Sequence, residues 1–160
     1  MGAAGLSLLV VSLASVACGG ADVDVKEALQ VTDVVTGYYD VGIVAGKNKL
    51  VPSVSFRIKN VSSSSVSSVQ LNSVFKVIGD QEELGSAFVK GIDARGLAGG
   101  ATTEPFVLRS TLGYTGEQPR AELLQHSGFR DVQVEIFAKH GARQWVKLGE
   151  FKVERQLLTH

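Results

Sequence analysis

Residues 53–59 read Ser-Val-Ser-Phe-Arg-Ile-Lys, and the fold class follows from this heptad. Val54, Phe56 and Ile58 alternate with Ser53, Ser55, Arg57 and Lys59. A period of two puts the apolar side chains on one face of a strand and the polar ones on the other. A helix would need apolar residues three and four apart, so the stretch predicts a strand with one buried and one wet face. Pro52 fits the start of that strand, where a missing N–H sacrifices no central ladder bond.

The same rhythm extends outward. Upstream, Val34 to Val44 is rich in Val, Tyr and Ile and predicts a strand, closed by the turn signal Gly46-Lys47-Asn48-Lys49. Downstream, Asn60 to Ser68 is a serine-rich bend, with Ser62 to Ser65 read as solvated. A third strand carries Val69, Leu71, Phe75 and Val77 on one parity, and Gly79-Asp80-Gln81-Glu82 turns the chain. Leu84 to Ile92 and Thr102 to Arg109 predict a fourth and a fifth strand, joined by the glycine-rich loop Asp93 to Gly100. Val132, Val134 and Ile136 alternate with Asp131, Gln133 and Glu135. After Gly141-Ala142-Arg143, the last strand spans Gln144 to Val153, and its apolar surroundings assign Trp145 to the core. About seven strands with turns every 8 to 15 residues predict an all-β, antiparallel β-sandwich. The βαβ alternation of a parallel sheet is absent.

Leu112 to Phe129 breaks the rhythm. Pro119 suits a first helical position, Leu123 and Leu124 give a short apolar stripe, and Gly128 suits a stop. Pro119 to Gln125 is therefore expected as one short helix. The insert reads as a cap over one end of the sandwich, plugged by Leu123 and Leu124. Tyr114 and Arg120 are residue types enriched at interaction hot spots, and His126 falls at the helix end. Tyr114, Arg120, Leu123, Leu124 and His126 form the candidate interaction surface.

Composition narrows the partners. The 160 residues fit one domain, which at this size buries roughly 68% of its unfolded surface. Sixteen basic and sixteen acidic residues cancel, so the basic excess of a nucleic-acid binder is missing. A polybasic run for an anionic membrane is missing as well. A single cysteine, Cys18, excludes an intramolecular disulfide.

Residues 6–17, Leu-Ser-Leu-Leu-Val-Val-Ser-Leu-Ala-Ser-Val-Ala, are too short and serine-rich for a transmembrane helix, which needs about 20 apolar residues. They match the apolar core of an export signal ending in small residues. Ser15-Val16-Ala17-Cys18 resembles the box of a bacterial lipoprotein signal. Two features differ from the pattern: Ser15 stands where Leu is usual, and residues 1–5 carry no Lys or Arg. The resemblance implies cleavage before Cys18 and a diacylglyceryl thioether on its sulfur. It also implies, through Gly19, the periplasmic face of the outer membrane rather than the inner membrane. The expected layout is a signal peptide over 1–17, a lipidated tether over 18–33 and the sandwich over 34–160.

Phe56-Arg57-Ile58-Lys59-Asn60, followed after a polar bend by Val69 to Val77, is similar to bacterial immunoglobulin-like sandwiches of secreted proteins. That resemblance implies an immunoglobulin-like architecture and brings no catalytic residues.

A search for chemistry finds little. His126, His140 and His160 share no metal-ligand spacing, with His140 expected in a turn. No Gly-x-Ser-x-Gly motif occurs in the mature domain. Gly96-Leu97-Ala98-Gly99-Gly100 lacks the Lys-Ser/Thr ending of a phosphate loop. Glu82 with Glu83, Glu117 with Glu122, and Asp22 with Asp24 read as solvated surface charge. No catalytic residue, metal or cofactor is expected. The expectation is a non-enzymatic envelope lipoprotein that binds another protein or serves as an accessory subunit of a membrane-associated complex. The alternative is a glycan- or lipid-binding module using Tyr38, Tyr39, Tyr114 or Trp145.

Overall fold

The computed structural model describes residues 1, 23–80 and 82–159. The stretch read as an export signal, the small-residue box expected to end it, Cys18 and His160 lie outside the described residues.

The chain runs α1 (Val25–Ala28), β1 (Leu29–Val44), β2 (Lys47–Asn60), β3 (Val69–Val77), β4 (Glu83–Ile92), β5 (Phe106–Arg109), β6 (Tyr114–Gly116), α2 (Arg120–Leu123), β7 (Val132–His140), β8 (Val146–Lys152) and β9 (Leu157–Leu158). Two sheets form. One has the order β5-β2-β1-β9, with β6 also paired to β2; the other has the order β4-β3-β7-β8. Every pairing is antiparallel except β1 with β9. The all-β sandwich expected from alternation is the fold observed, with seven main strands and two short additions, β6 and β9.

The alternating residues of β2 explain the core. Leu50, Val54, Phe56 and Ile58 are fully buried, as are Val69, Leu71 and Phe75 of β3 and Val132, Val134, Ile136 and Ala138 of β7. These stripes face one another, which is how two half-buried sheets remove their apolar faces from water. Phe56 also meets Phe106 of β5 with ring centroids 5.7 Å apart.

Several boundaries differ from the sequence reading, each for a local reason. The stretch read as tether is structured from Val25 onward. Asp24 caps α1, its carboxylate accepting the Lys26 N–H at 2.9 Å, and Val25, Ala28 and Leu29 are buried. β1 therefore begins at Leu29, opposite Asn60, rather than at Val34. Pro52 is interior to β2 rather than at its start. It lies opposite the break between β5 and β6, and its carbonyl accepts the Ser110 N–H at 2.8 Å, so its missing N–H falls where no partner strand runs. β5 starts at Phe106 because Pro105 cannot donate; Thr102 makes only an isolated bridge to Lys59. The insert helix is a single turn, with Pro119 at its N-cap. His140 is the last residue of β7 and not part of the turn after it.

The sandwich has two distinct ends. The amino-terminal end gathers α1, the 61–68 bend, the 93–101 loop and the 141–144 turn. Asn60 organises it. This side chain is fully buried and donates to the carbonyls of Ser64 and Leu97, both at 2.8 Å. Its own oxygen accepts from the Ser62 N–H at 3.0 Å and the Ser62 hydroxyl at 2.7 Å. All four of its side-chain hydrogen-bonding capacities are thus met. The opposite end carries the β1–β2 hairpin, the β3–β4 turn and the 110–131 insert, and it forms the candidate site.

Candidate functional site

The insert is built into the core. β6 pairs with β2 through Leu50 and Tyr114. The approach is close enough that a Cβ on Gly113 would come 2.1 Å from the Leu50 carbonyl oxygen, so only glycine fits. Leu123, Leu124 and Phe129 are each 5% exposed or less. Leu123 and Leu124 therefore act as the plug the sequence predicted. Phe129 completes it: its ring lies 5.0 Å from Tyr38, edge-on, and 4.3 Å from Tyr114.

Polar contacts fix the segment from several sides. Asn48 of β2 donates to the Gln118 carbonyl at 2.9 Å. The Tyr114 hydroxyl donates to the Arg130 carbonyl at 2.9 Å, and Arg130 reaches Asp80 at 3.2 Å. Arg155, between β8 and β9, donates to Asp131 at 2.7 Å and to the carbonyls of Leu124 and Phe129, both at 3.1 Å. The Arg155 hydrogen bond holds the Asp131 carboxyl below its ordinary range, against a partial desolvation that works the other way. Arg120 pairs with Asp40, whose carboxylate also accepts the Gly42 N–H at 2.8 Å. Desolvation would raise the Asp40 carboxyl, but these contacts outweigh it and hold it low. Burial pushes the hydroxyls of Tyr38 and Tyr114 upward. Nothing in the sequence marked Arg155 as a cap residue, or Phe129, at the end of the insert, as part of its plug, because their partners lie 24 to 31 and 15 to 91 positions away along the chain.

Of the five predicted surface residues, three line one open cleft of about 400 Å³: Tyr114, Leu123 and His126, with Lys47, Gln118 and Phe129 among the other walls. Leu124 is buried beneath it, and Arg120 is engaged by Asp40. His126 is exposed, and its Nδ1 accepts the Gly128 N–H at 3.1 Å. That bond leaves Nε2 to carry the proton in the neutral ring. The cleft thus offers a lysine, the Glu117 carboxylate, the Gln118 amide, an imidazole N–H and aromatic edges, a surface of mixed polarity. Among the described residues no three His, Cys, Asp or Glu side chains converge as a metal site requires. No helix among them is long and apolar enough to cross a membrane.

The other aromatics fall elsewhere. Tyr38 is fully buried. The Tyr39 ring is covered by the Arg109 guanidinium, 3.5 Å from its centroid. Trp145 is not in the core. It precedes β8, whose Val146 pairs with the inward-facing Ala138, so Trp145 falls on the opposite, outer face. There it is 39% exposed, edge-on to Phe88 at 6.3 Å, with the Lys139 ammonium 5.5 Å from its ring. Phe88 is 61% exposed. On the same outer face Glu135 is buried between Lys76, 2.6 Å away, and Lys147, 3.1 Å away.

Comparison with known proteins adds a partial structural likeness. No family model matches the chain, and no curated protein matches it. Among solved structures it is similar to a putative ApaA protein from Bordetella pertussis, with 16% identity over 79% of this chain and 93% of that one and a TM-score of 0.43. It is also similar to a protein from Archaeoglobus fulgidus, with 11% identity over 79% of this chain and 100% of that one and a TM-score of 0.38.

Proposed function

We propose that this chain is a non-enzymatic envelope lipoprotein, anchored through a lipid on Cys18, whose sandwich presents its cap end to another protein. The observation that carries the reading is the polarity of the fold. The chain enters the sandwich at α1, seven residues after the sole cysteine, and the recognition-type cleft lies at the opposite end. An anchor at one end and a rigid, mixed-polarity cleft at the other is the arrangement an accessory subunit of a membrane-associated complex needs. On this reading the protein faces the periplasm from the outer membrane.

The sandwich itself is read as immunoglobulin-like. β1, β2 and β5 share one sheet, and β4, β3, β7 and β8 share the other. That division supports the reading in part: leaving out the short β6, the first, second and fifth main strands pair apart from the third, sixth and seventh as in such domains, while β4 joins β3 rather than β5.

Site-directed photocrosslinking in intact cells tests the function. Photoreactive residues at Gln118 and His126 should give discrete, protease-sensitive adducts, while one at Glu104, away from the cap, should not. Absence of adducts from both cap positions would remove the cap as a protein-binding surface. One observation favours a second reading, a glycan- or lipid-binding module: the exposed Trp145–Phe88 pair.

A further inference from the structure

The outer face of the β4-β3-β7-β8 sheet carries an apolar and cationic patch at the amino-terminal end of the sandwich. Phe88 and Lys90 share a hollow with Ala94 and Gly141. Val23, His140, Arg143 and Val146 share a second hollow, at the end of the sandwich rather than on its outer face, and the adjacent residues His140 and Gly141 bring it beside the first. Trp145 sits between Arg143 and Val146 in sequence and spans toward Phe88. Lys90 and Lys139 form no ion pair among the described residues; Lys139 instead lies over the Trp145 ring. Among the described residues the carboxylates at this end are Asp24, which also lines the second hollow, Glu27 and Asp93. Asp24 caps α1, and Asp93 is held by Arg95 at 2.8 Å.

We infer that this patch is a bilayer-contact surface, in which Trp145 and Phe88 enter the interface of an anionic membrane while Lys90 and Lys139 meet its head groups. The inference rests on the anchor proposed above. Chain length supports it. Val23 lines the hollow that contains Arg143 and Val146, and it stands only five positions after Cys18. A span of five residues reaches at most about 18 Å, so a lipid on Cys18 keeps this end of the domain at the membrane surface. Charge and chemistry support it too. Indole and phenyl rings favour the boundary between head groups and acyl chains, and basic residues beside them are drawn to anionic lipids. The patch and the exit point of the tether share one end of the molecule, and the recognition cleft lies at the other.

Two features of the sequence make the test direct. Cys18 is the only cysteine and Trp145 the only tryptophan. The chain from Cys18 onward, which contains every core residue, can be coupled through Cys18 to a maleimide lipid in phosphatidylcholine vesicles with and without phosphatidylglycerol. With the anionic lipid present, Trp145 emission should shift to the blue and be quenched by brominated acyl chains. Lys90→Gln and Lys139→Gln should each lower the ratio of contacting to detached protein roughly fivefold at low salt. Trp145 emission that is unquenched and unshifted in the coupled chain would overturn the inference and leave the face open for a protein partner. The anchor is judged separately, from the mass of the cellular protein. An unlipidated Cys18 in cells with a quenched Trp145 in coupled protein removes the anchor and keeps the surface. A lipidated Cys18 with an unquenched Trp145 does the reverse.

Discussion

Replacing Phe129 by Ala removes the ring that joins the insert to the sandwich. The side chain is 5% exposed and packs between Tyr38 at 5.0 Å and Tyr114 at 4.3 Å, with the Arg155 guanidinium 5.1 Å from the ring. Core Phe→Ala substitutions cost about 3–5 kcal/mol. Phe129 lies at an end of the sandwich, where the insert can settle partly into the space, so about 3 kcal/mol is expected. Against a total of roughly 5–15 kcal/mol this is a large share. For a domain of this size it lowers Tm by about 12 °C. Phe88→Ala is the matched control: the same side chain, 61% exposed, should change stability by less than about 0.5 kcal/mol. Thermal and urea unfolding of the chain from Cys18 onward, followed by circular dichroism, reads both. A drop for F129A of under about 4 °C, or one no larger than that of F88A, would refute the claim that the insert is part of the core.

Other expectations follow from single side chains. Asn60→Ala breaks four hydrogen bonds at a fully buried site and should cost about 2–4 kcal/mol in urea unfolding, whereas a cost under about 1 kcal/mol would show that the two end loops hold without it. Tyr38→Phe deletes a buried hydroxyl with no hydrogen-bond partner among the described residues, so Tm should stay level or rise; a loss above about 2 kcal/mol would reveal a partner. Asp131 and Glu135 both have lowered pKa values, through hydrogen bonds first to Arg155 and first to Lys76. Each binds a proton more readily unfolded than folded. Their contribution is therefore complete above the ordinary carboxylate values of 3.8 and 4.5, and it is lost as pH falls through the depressed folded values. Tm measured downward from pH 6 should fall less steeply in D131N and E135Q than in the parent chain, and equal slopes would contradict the assignment.

The strands were legible because one buried face imposes a period of two, and Val54 to Ile58 or Val132 to Ile136 can satisfy that period in no other way. The plug was legible for a similar reason, since Leu123 and Leu124 form an apolar stripe that a single helical turn cannot cover by itself. What escaped notice depends on partners distant in sequence. Asn60 looked like the start of a polar bend, but its amide bridges two loops, with Leu97 contributing the far carbonyl. Arg155, just past the last predicted strand, carried no signal of its own and ties Leu124, Phe129 and Asp131 together. Trp145 was misassigned because an apolar neighbourhood does not report parity; one residue of register decides between core and surface. The α1 turn was passed over because its apolar positions, Val25, Ala28 and Leu29, are spaced three and four apart inside a segment read only for its polarity.

Intact mass spectrometry of the protein purified from membranes of its source organism, beside a Cys18→Ala variant, tests the central proposal most directly. The account predicts loss of residues 1–17 and added mass matching two or three acyl chains, both absent in the variant. An unmodified Cys18, with the amino terminus either cleaved or intact, would contradict it.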